Sequence, residues 1–192
     1  MTLLRTVVVS GSTSAPSKTL LLARHILAAV AAEATIEPFV VDLAELGAEL
    51  GGALTRSALP ARTEHALRRV ESAEILIAAT PVYRGSYTGH FKHLFDLIDQ
   101  NALIDIPVIL AATGGSDKHC LVIEHQLRPL FGFLQSLTVP VGVYASPADI
   151  ADGEVRSELV LSRIRSAARQ AVQLASPRPG SAVRPPALAQ TA

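Results

Sequence analysis

One cysteine, Cys120, stands in 192 residues, which excludes an internal disulfide and any CxxC redox or zinc site and fits a reducing compartment. A lone thiol of this kind is expected to act as a small buried hydrophobe. Charge is scarce as well: 18% of residues are charged against 49% hydrophobic, and the formal net charge is zero. Such a chain lacks the basic excess that nucleic acid or an anionic membrane selects for, so neither is expected as a partner. The apolar excess must instead lie inside a sheet covered on both faces, or in an interface between subunits. No apolar run has membrane length, and Met1-Thr2-Leu3-Leu4-Arg5-Thr6 contains no leader-like stretch, so a cytoplasmic location is expected. There is no internal repeat, no Ser/His/Asp arrangement and no paired carboxylates.

What the chain does have is alternation. Apolar runs at Leu3–Val9, Ile36–Val41, Ile75–Ala79, Pro107–Ala112 and Val139–Tyr144 read as strands buried on both faces. Helical patterns fall near Ser17–Ala32, Ala61–Ser72, Thr88–Gln100, Lys118–Leu137 and Glu154–Leu174. Five such βα units predict a flavodoxin-like, doubly wound parallel sheet of order 2-1-3-4-5 with helices on both faces. Residues 1–175 are expected to form one domain. Leu43–Leu59, with Gly47, Gly51 and Gly52, reads as an irregular connection. Ser176–Ala192, with Pro177, Pro179, Pro185 and Pro186, reads as a disordered Pro/Ala-rich tail.

The loop after the first strand is Gly11-Ser12-Thr13-Ser14-Ala15-Pro16-Ser17-Lys18-Thr19. A P-loop needs glycine and lysine five and six residues after Gly11, where Pro16 and Ser17 stand. A dinucleotide fingerprint needs glycines two and five residues after Gly11, where Thr13 and Pro16 stand. Both fail. Ser10, Ser12, Thr13, Ser14 and Ser17, with Thr19 inside the helix and Lys18 as one cation, suit a terminal phosphate at a helix N-terminus. Ser14 or Ser17 could equally cap the helix, though a cap uses one hydroxyl and not five.

The loop after the third strand, Pro81-Val82-Tyr83-Arg84-Gly85-Ser86, lies beside the first at the point where the strand order reverses, where open α/β sheets bind ligands. Tyr83, Tyr87 and a flexible backbone suit a flat aromatic ligand with polar edges, a flavin above others. The loop after the fourth strand, Thr113-Gly114-Gly115-Ser116, allows close backbone approach. His90-Phe91-Lys92-His93 with Asp96 supplies no complete ligand set, so no metal is expected; Lys92 and Asp96 are spaced to pair.

Ser10-Gly11-Ser12, Pro16-Ser17-Lys18-Thr19, Thr80-Pro81-Val82-Tyr83-Arg84-Gly85-Ser86-Tyr87 and Ala112-Thr113-Gly114-Gly115-Ser116 together closely resemble the NAD(P)H-dependent FMN reductases. The nearest resemblance is to reductases of two-component alkanesulfonate and methanesulfonate monooxygenase systems, over about Leu4 to Arg165. It implies FMN with NADH or NADPH, a homodimer or homotetramer, and delivery of reduced flavin to a partner monooxygenase. It implies that Ser10, Ser12, Thr13, Ser17, Lys18 and Thr19 hold the phosphate, Lys18 standing where relatives often carry arginine. Pro81, Val82, Tyr83, Arg84, Gly85, Ser86, Thr113, Gly114, Gly115 and Ser116 would hold the ring. Some relatives carry an extra tyrosine in helix four, forming a π-bulge at the tetramer interface, and His125 matches that position. No residue is expected as an essential proton donor. A flavin-retaining quinone, azo or metal-oxyanion reductase and a flavodoxin-type electron carrier are the alternatives.

Overall fold

In strand β1 (Leu4–Ser10) the run Thr6-Val7-Val8-Val9 is β-branched throughout, and such side chains are stiff and favour extended backbone. All four are fully buried. The computed structural model describes residues 3–175; the tail expected at 176–192 lies outside the described residues. After β1 come α1 (Lys18–Glu33), β2 (Ile36–Asp42), α2 (Leu43–Gly51), α3 (Ala61–Glu71), β3 (Ile75–Pro81), α4 (Gly89–Leu97) and β4 (Pro107–Thr113). The remainder is α5 (Arg128–Phe133), β5 (Leu137–Thr138), β6 (Val143–Ala145), β7 (Ile150–Ala151), β8 (Glu154–Val155) and α6 (Glu158–Ala175).

The parallel order is β2-β1-β3-β4-β5, with β6 also pairing β4. Period-two alternation divides the strands between two cores. Val7, Val9, Leu76, Ala78, Val108 and Leu110 face α2, α3, α4 and α5. Val8, Ile75, Ile77, Ala79, Ile109 and Ala111 face α1 and α6. Register then sets the site. Ser10 lies opposite Ala79, Pro81 opposite Thr113, and Thr113 opposite Ala145, so the carboxyl ends of β1, β3, β4 and β6 emerge on one edge. Pro38 sits on β2, which pairs β1 alone, as a residue without N–H must.

Five expectations need correction. The connection after β2 is ordered: Asp42 accepts the Ala44 amide at 3.2 Å, and Leu43, Leu46 and Leu50 are buried at helical spacing. Its glycines admit α4, because a Cβ on Gly51 would lie 3.0 Å from His90 Nε2. The fifth strand is broken, since Pro140 cannot donate to a ladder; β5 pairs the start of β4 and β6 its end. The helix expected over Lys118–Leu137 is divided into a 3-10 turn (Asp117–His119), a π-helical turn (Ile123–Leu127) at His125, where the resemblance predicts one, and then α5. The last helix starts at Glu158, after the β7–β8 hairpin turned by Gly153 at φ 74°. Cys120, expected to be buried, is exposed.

Candidate functional site

The first and third loops are stapled together by groups that no substitution replaces easily. Gly11 N donates to Ala79 O at 2.7 Å, and the Thr88 hydroxyl donates to Gly11 O at 2.7 Å. The Thr80 hydroxyl donates to Pro81 O at 3.0 Å and accepts the Thr88 amide at 3.3 Å. A Cβ on Gly11 would sit 2.8 Å from Phe91 Cδ2 and 3.0 Å from Thr80 Oγ1. Only glycine lets β1 end this close to α4.

The hydroxyls of the first loop divide into used and unused. Ser17 caps α1, accepting the Leu20 amide at 3.1 Å, so the capping interpretation holds for that residue. The Ser12 hydroxyl donates to Ser14 O at 3.1 Å. Thr19 and Thr113 meet hydroxyl to hydroxyl at 2.6 Å, both buried, and so tie α1 to the end of β4. Thr13 and Lys18 are exposed. Ser10 Oγ, at the carboxyl end of β1, is fully buried and has no hydrogen-bond partner among the described residues. The first turn of α1 contains no acid, which leaves the positive end of its dipole uncompensated.

The third loop is a tight turn. Tyr83 N donates to Ser86 O at 2.8 Å and Ser86 N to Tyr83 O at 3.1 Å, with φ 52° at Arg84 and 82° at Gly85. Two positive φ values in succession define a type I′ turn, which explains the glycine and places Arg84 in left-handed backbone. Val82 N donates to Thr113 O at 2.7 Å. Those three amides are thus engaged within the scaffold. The Ser86 hydroxyl donates to Gln126 at 3.1 Å and so belongs to the scaffold.

In the fourth loop the Tyr144 hydroxyl donates to Ser116 O at 2.5 Å. The ring lies where a Gly114 side chain would be, whereas a Cβ on Gly115 meets nothing within 4 Å. Burial, then the nearby Asp117, pushes the Tyr144 phenol above its ordinary pKa, so it stays a donor. Lys18, Pro81, Val82, Tyr83, Thr113, Gly114 and Gly115 converge on one crevice of about 240 Å³, walled on its far side by Ala145, Ser146, Pro147 and Ile150. Among the described residues that line it, Lys18 is the only charged one.

Residues 4–150 match the model of the NADPH-dependent FMN reductase family. The chain belongs to that family. It is 57% identical over 171 residues to the NADH-dependent FMN reductase SfnE of Pseudomonas putida, covering 89% of this chain and 92% of the relative. It is 51% identical over 170 residues to an FMN reductase (NADPH) of Pseudomonas aeruginosa, covering 88% and 91%. The apo structure of the NADH:FMN oxidoreductase EMOB superposes with TM-score 0.79 at 30% identity, over 91% of each chain.

This FMN reductase has rim residues that the sequence did not reveal. Ser146-Pro147 and Ile150 follow the broken fifth strand, whose end at Ala145 lies one residue beyond the expected Tyr144, and carry no motif that marks them as lining residues. Asp149 organises that rim: its carboxylate accepts the Ser146 amide and hydroxyl, each at 2.8 Å. Burial alone would raise the Asp149 pKa, but the bonds from Ser146 and Ser157 outweigh it and leave the carboxyl below its ordinary value.

His125 sits at the centre of the π-helical turn, exposed. The cause lies four residues on: Pro129 has no N–H for the His125 carbonyl, and its ring would strike that carbonyl in a regular α-helix. Widening to a π turn relieves the collision. Arg128 locks the turn down, donating to Glu124 at 2.6 and 2.9 Å and to Thr138 Oγ1 and Val139 O at 3.0 and 3.1 Å. His93 Nε2 lies 3.1 and 2.8 Å from the carbonyls of Leu50 and Ala53, where it donates into the α2 C-terminus. Lys92 pairs with Asp96 as their spacing predicts. No helix among the described residues is long and apolar enough to cross a membrane.

Proposed function

We propose that this reductase passes hydride from NADH or NADPH to FMN and releases the reduced flavin to a separate monooxygenase of organosulfur metabolism. The observation that carries the reading is the crevice at the ends of β1, β3, β4 and β6, lined by Lys18 from the start of α1, by Pro81, Val82 and Tyr83, and by Thr113, Gly114 and Gly115. This lining suits the ligand. Lys18 and the α1 N-terminus would hold a phosphate, since a helix start offers both free N–H groups and the positive end of the dipole. Backbone N–H groups of the third loop would donate to the polar edge of a ring, where negative charge gathers on reduction. Gly115 leaves room for close approach, and Tyr83, nearly half exposed at 47%, offers an aromatic wall. Flavin supplies the hydride acceptor, N5 of its ring. The chain's part is orientation of two rings, with no protein acid or base required.

A second copy of the chain is the further partner this reading includes. A groove of about 580 Å³ between α4 and the π turn is lined by Tyr87, Phe95, His125, Pro129, Leu130 and Phe133. Phe133 is 76% exposed, an arrangement that burial against another subunit would relieve.

The test is NAD(P)H oxidation followed by absorbance as free FMN is added to purified, flavin-free protein. A rate that rises and saturates with FMN supports flavin as a substrate. A rate indifferent to FMN and dependent on added quinone moves the assignment to a flavin-retaining reductase. No oxidation with either nucleotide ends the enzymatic reading.

A further inference from the structure

The segment from Asp117 through the π turn sorts its charges by face. Asp117, Cys120 and Glu124 line a cavity of about 430 Å³ together with Arg163. On the other face Lys118, His119, His125 and Gln126 line a smaller cavity of about 170 Å³, closed by Val82 and Gly85 of the type I′ turn. Among the described residues, no carboxylate lines this second cavity. The acids nearest in sequence are turned away: Glu124 is held by the Arg128 fork, and Asp117 lies toward Tyr144. Gly85 adds open space, with nothing within 4 Å of a Cβ position. A concave site with one permanent cation, two imidazoles and an amide is built for an anion with several acceptor oxygens.

Its position says which anion. Val82 lines both this cavity and the crevice, so the two are separated by the thickness of one turn. A dinucleotide with its nicotinamide in the crevice would cross that turn and bring its phosphates to the basic cavity. We propose that Lys118 and His119 form a phosphate subsite for the nicotinamide dinucleotide, with His125 at its edge, where the cavity meets the groove between α4 and the π turn. The inference rests on the reductase reading above. Two phosphates could fill the subsite: the pyrophosphate common to NADH and NADPH, or the 2′-phosphate of NADPH alone. The relatives at 57% and 51% identity carry names with different nucleotides; only a subsite that takes the 2′-phosphate would set such a preference.

The experiment uses the full chain, flavin-free, and calorimetric binding of two probes, adenosine 2′,5′-bisphosphate and ADP-ribose. Lys118→Gln and His119→Gln are compared with the unsubstituted protein; both side chains are exposed, and surface changes of this kind rarely disturb folding. Loss of one charge-assisted contact should weaken binding about fivefold to tenfold. A loss confined to adenosine 2′,5′-bisphosphate, with KM rising for NADPH alone, assigns the 2′-phosphate. A loss for both probes, with KM rising for both nucleotides, assigns the pyrophosphate. Unchanged binding of both probes in both variants overturns the subsite, as does a loss that falls on half-saturating FMN instead. Protein that binds the probes yet oxidises neither nucleotide would remove the reductase reading while leaving the anion subsite standing.

Discussion

The two walls of the crevice are built differently. On the β1–β3 side the strands are continuous, Gly11 is pinned between Ala79 and Thr88, and Phe91 fills the space behind it. On the β4–β6 side the strand is broken at Pro140, the following helix carries a π turn, and Cys120, Leu121 and Phe133 face outward. Close packing holds the first wall up to its end. The second is as close at its base, where a Cβ on Gly142 would lie 2.6 Å from Ile123 Cγ2, but its rim opens at Gly115 and is held by polar ties, Tyr144 to Ser116, Asp149 to Ser146 and Arg128 to Glu124 and Val139. A site that must both position a flavin and let it leave is well served by one rigid wall and one wall closed by hydrogen bonds.

The sharpest way to break this comparison is a matched pair of glycine substitutions. Gly11→Val drives a branched side chain into Phe91 and Thr80 and should cost about 3 kcal/mol, as overpacking does in a tight interior. Gly115→Val meets open space and should change stability by less than about 0.5 kcal/mol. Urea midpoints of the two variants measure both. Equal losses would mean that the rim of the β4 side is packed as tightly as the end of β1, and the contrast would fail.

A finer probe is the pair that joins the walls. Thr113→Val leaves the buried Thr19 hydroxyl without a partner and should cost about 1–2 kcal/mol. Adding Thr19→Val removes the orphan and should recover part of that loss, which a double-mutant cycle by denaturant unfolding would show. If instead stability holds and only FMN half-saturation moves, the two hydroxyls serve the ligand first and the fold second.

The same contrast explains what the sequence made legible. The β1–β3 side came through because its signals are local: β-branched runs, the Gly11 loop, the Tyr83-Arg84-Gly85-Ser86 turn. The sheet order followed from counting those runs. The β4–β6 side came through poorly because its structure depends on prolines acting at a distance. Pro140 divides a strand that periodicity reads as whole, and the π turn at His125 was expected from the family resemblance alone, because a proline four residues on leaves no periodic signal. α2 was missed for a related reason: Gly47 and Gly51 look like breakers until the approach of His90 shows why they are glycine. The rim at Ser146–Ile150 carries no motif at all, only a capping box that a strand end would have hidden.

The smallest effect concerns pH and the polar ties. The Arg128 guanidinium hydrogen-bonded to Glu124 holds that carboxyl below the ordinary carboxylate range; burial opposes the shift and loses. A carboxyl whose folded pKa is depressed stabilises the fold fully above its unfolded pKa and loses that contribution as pH falls through the folded value. Glu124 is nearly half exposed, at 47%, so solvent screening keeps the contribution below about 1 kcal/mol. Glu124→Gln should therefore unfold slightly more easily at pH 7. The difference from the unsubstituted protein should shrink as pH drops below the carboxylate range, because the native carboxylate is then protonated as well. Paired thermal melts across pH 3 to 7, with ~0.5 kcal/mol precision in the difference, would resolve the trend. A difference that stayed constant across that window would mean the tie works through shape and hydrogen bonding alone. A difference that grew at acid pH would reverse the sign and remove the Arg128 fork as the origin of the shift.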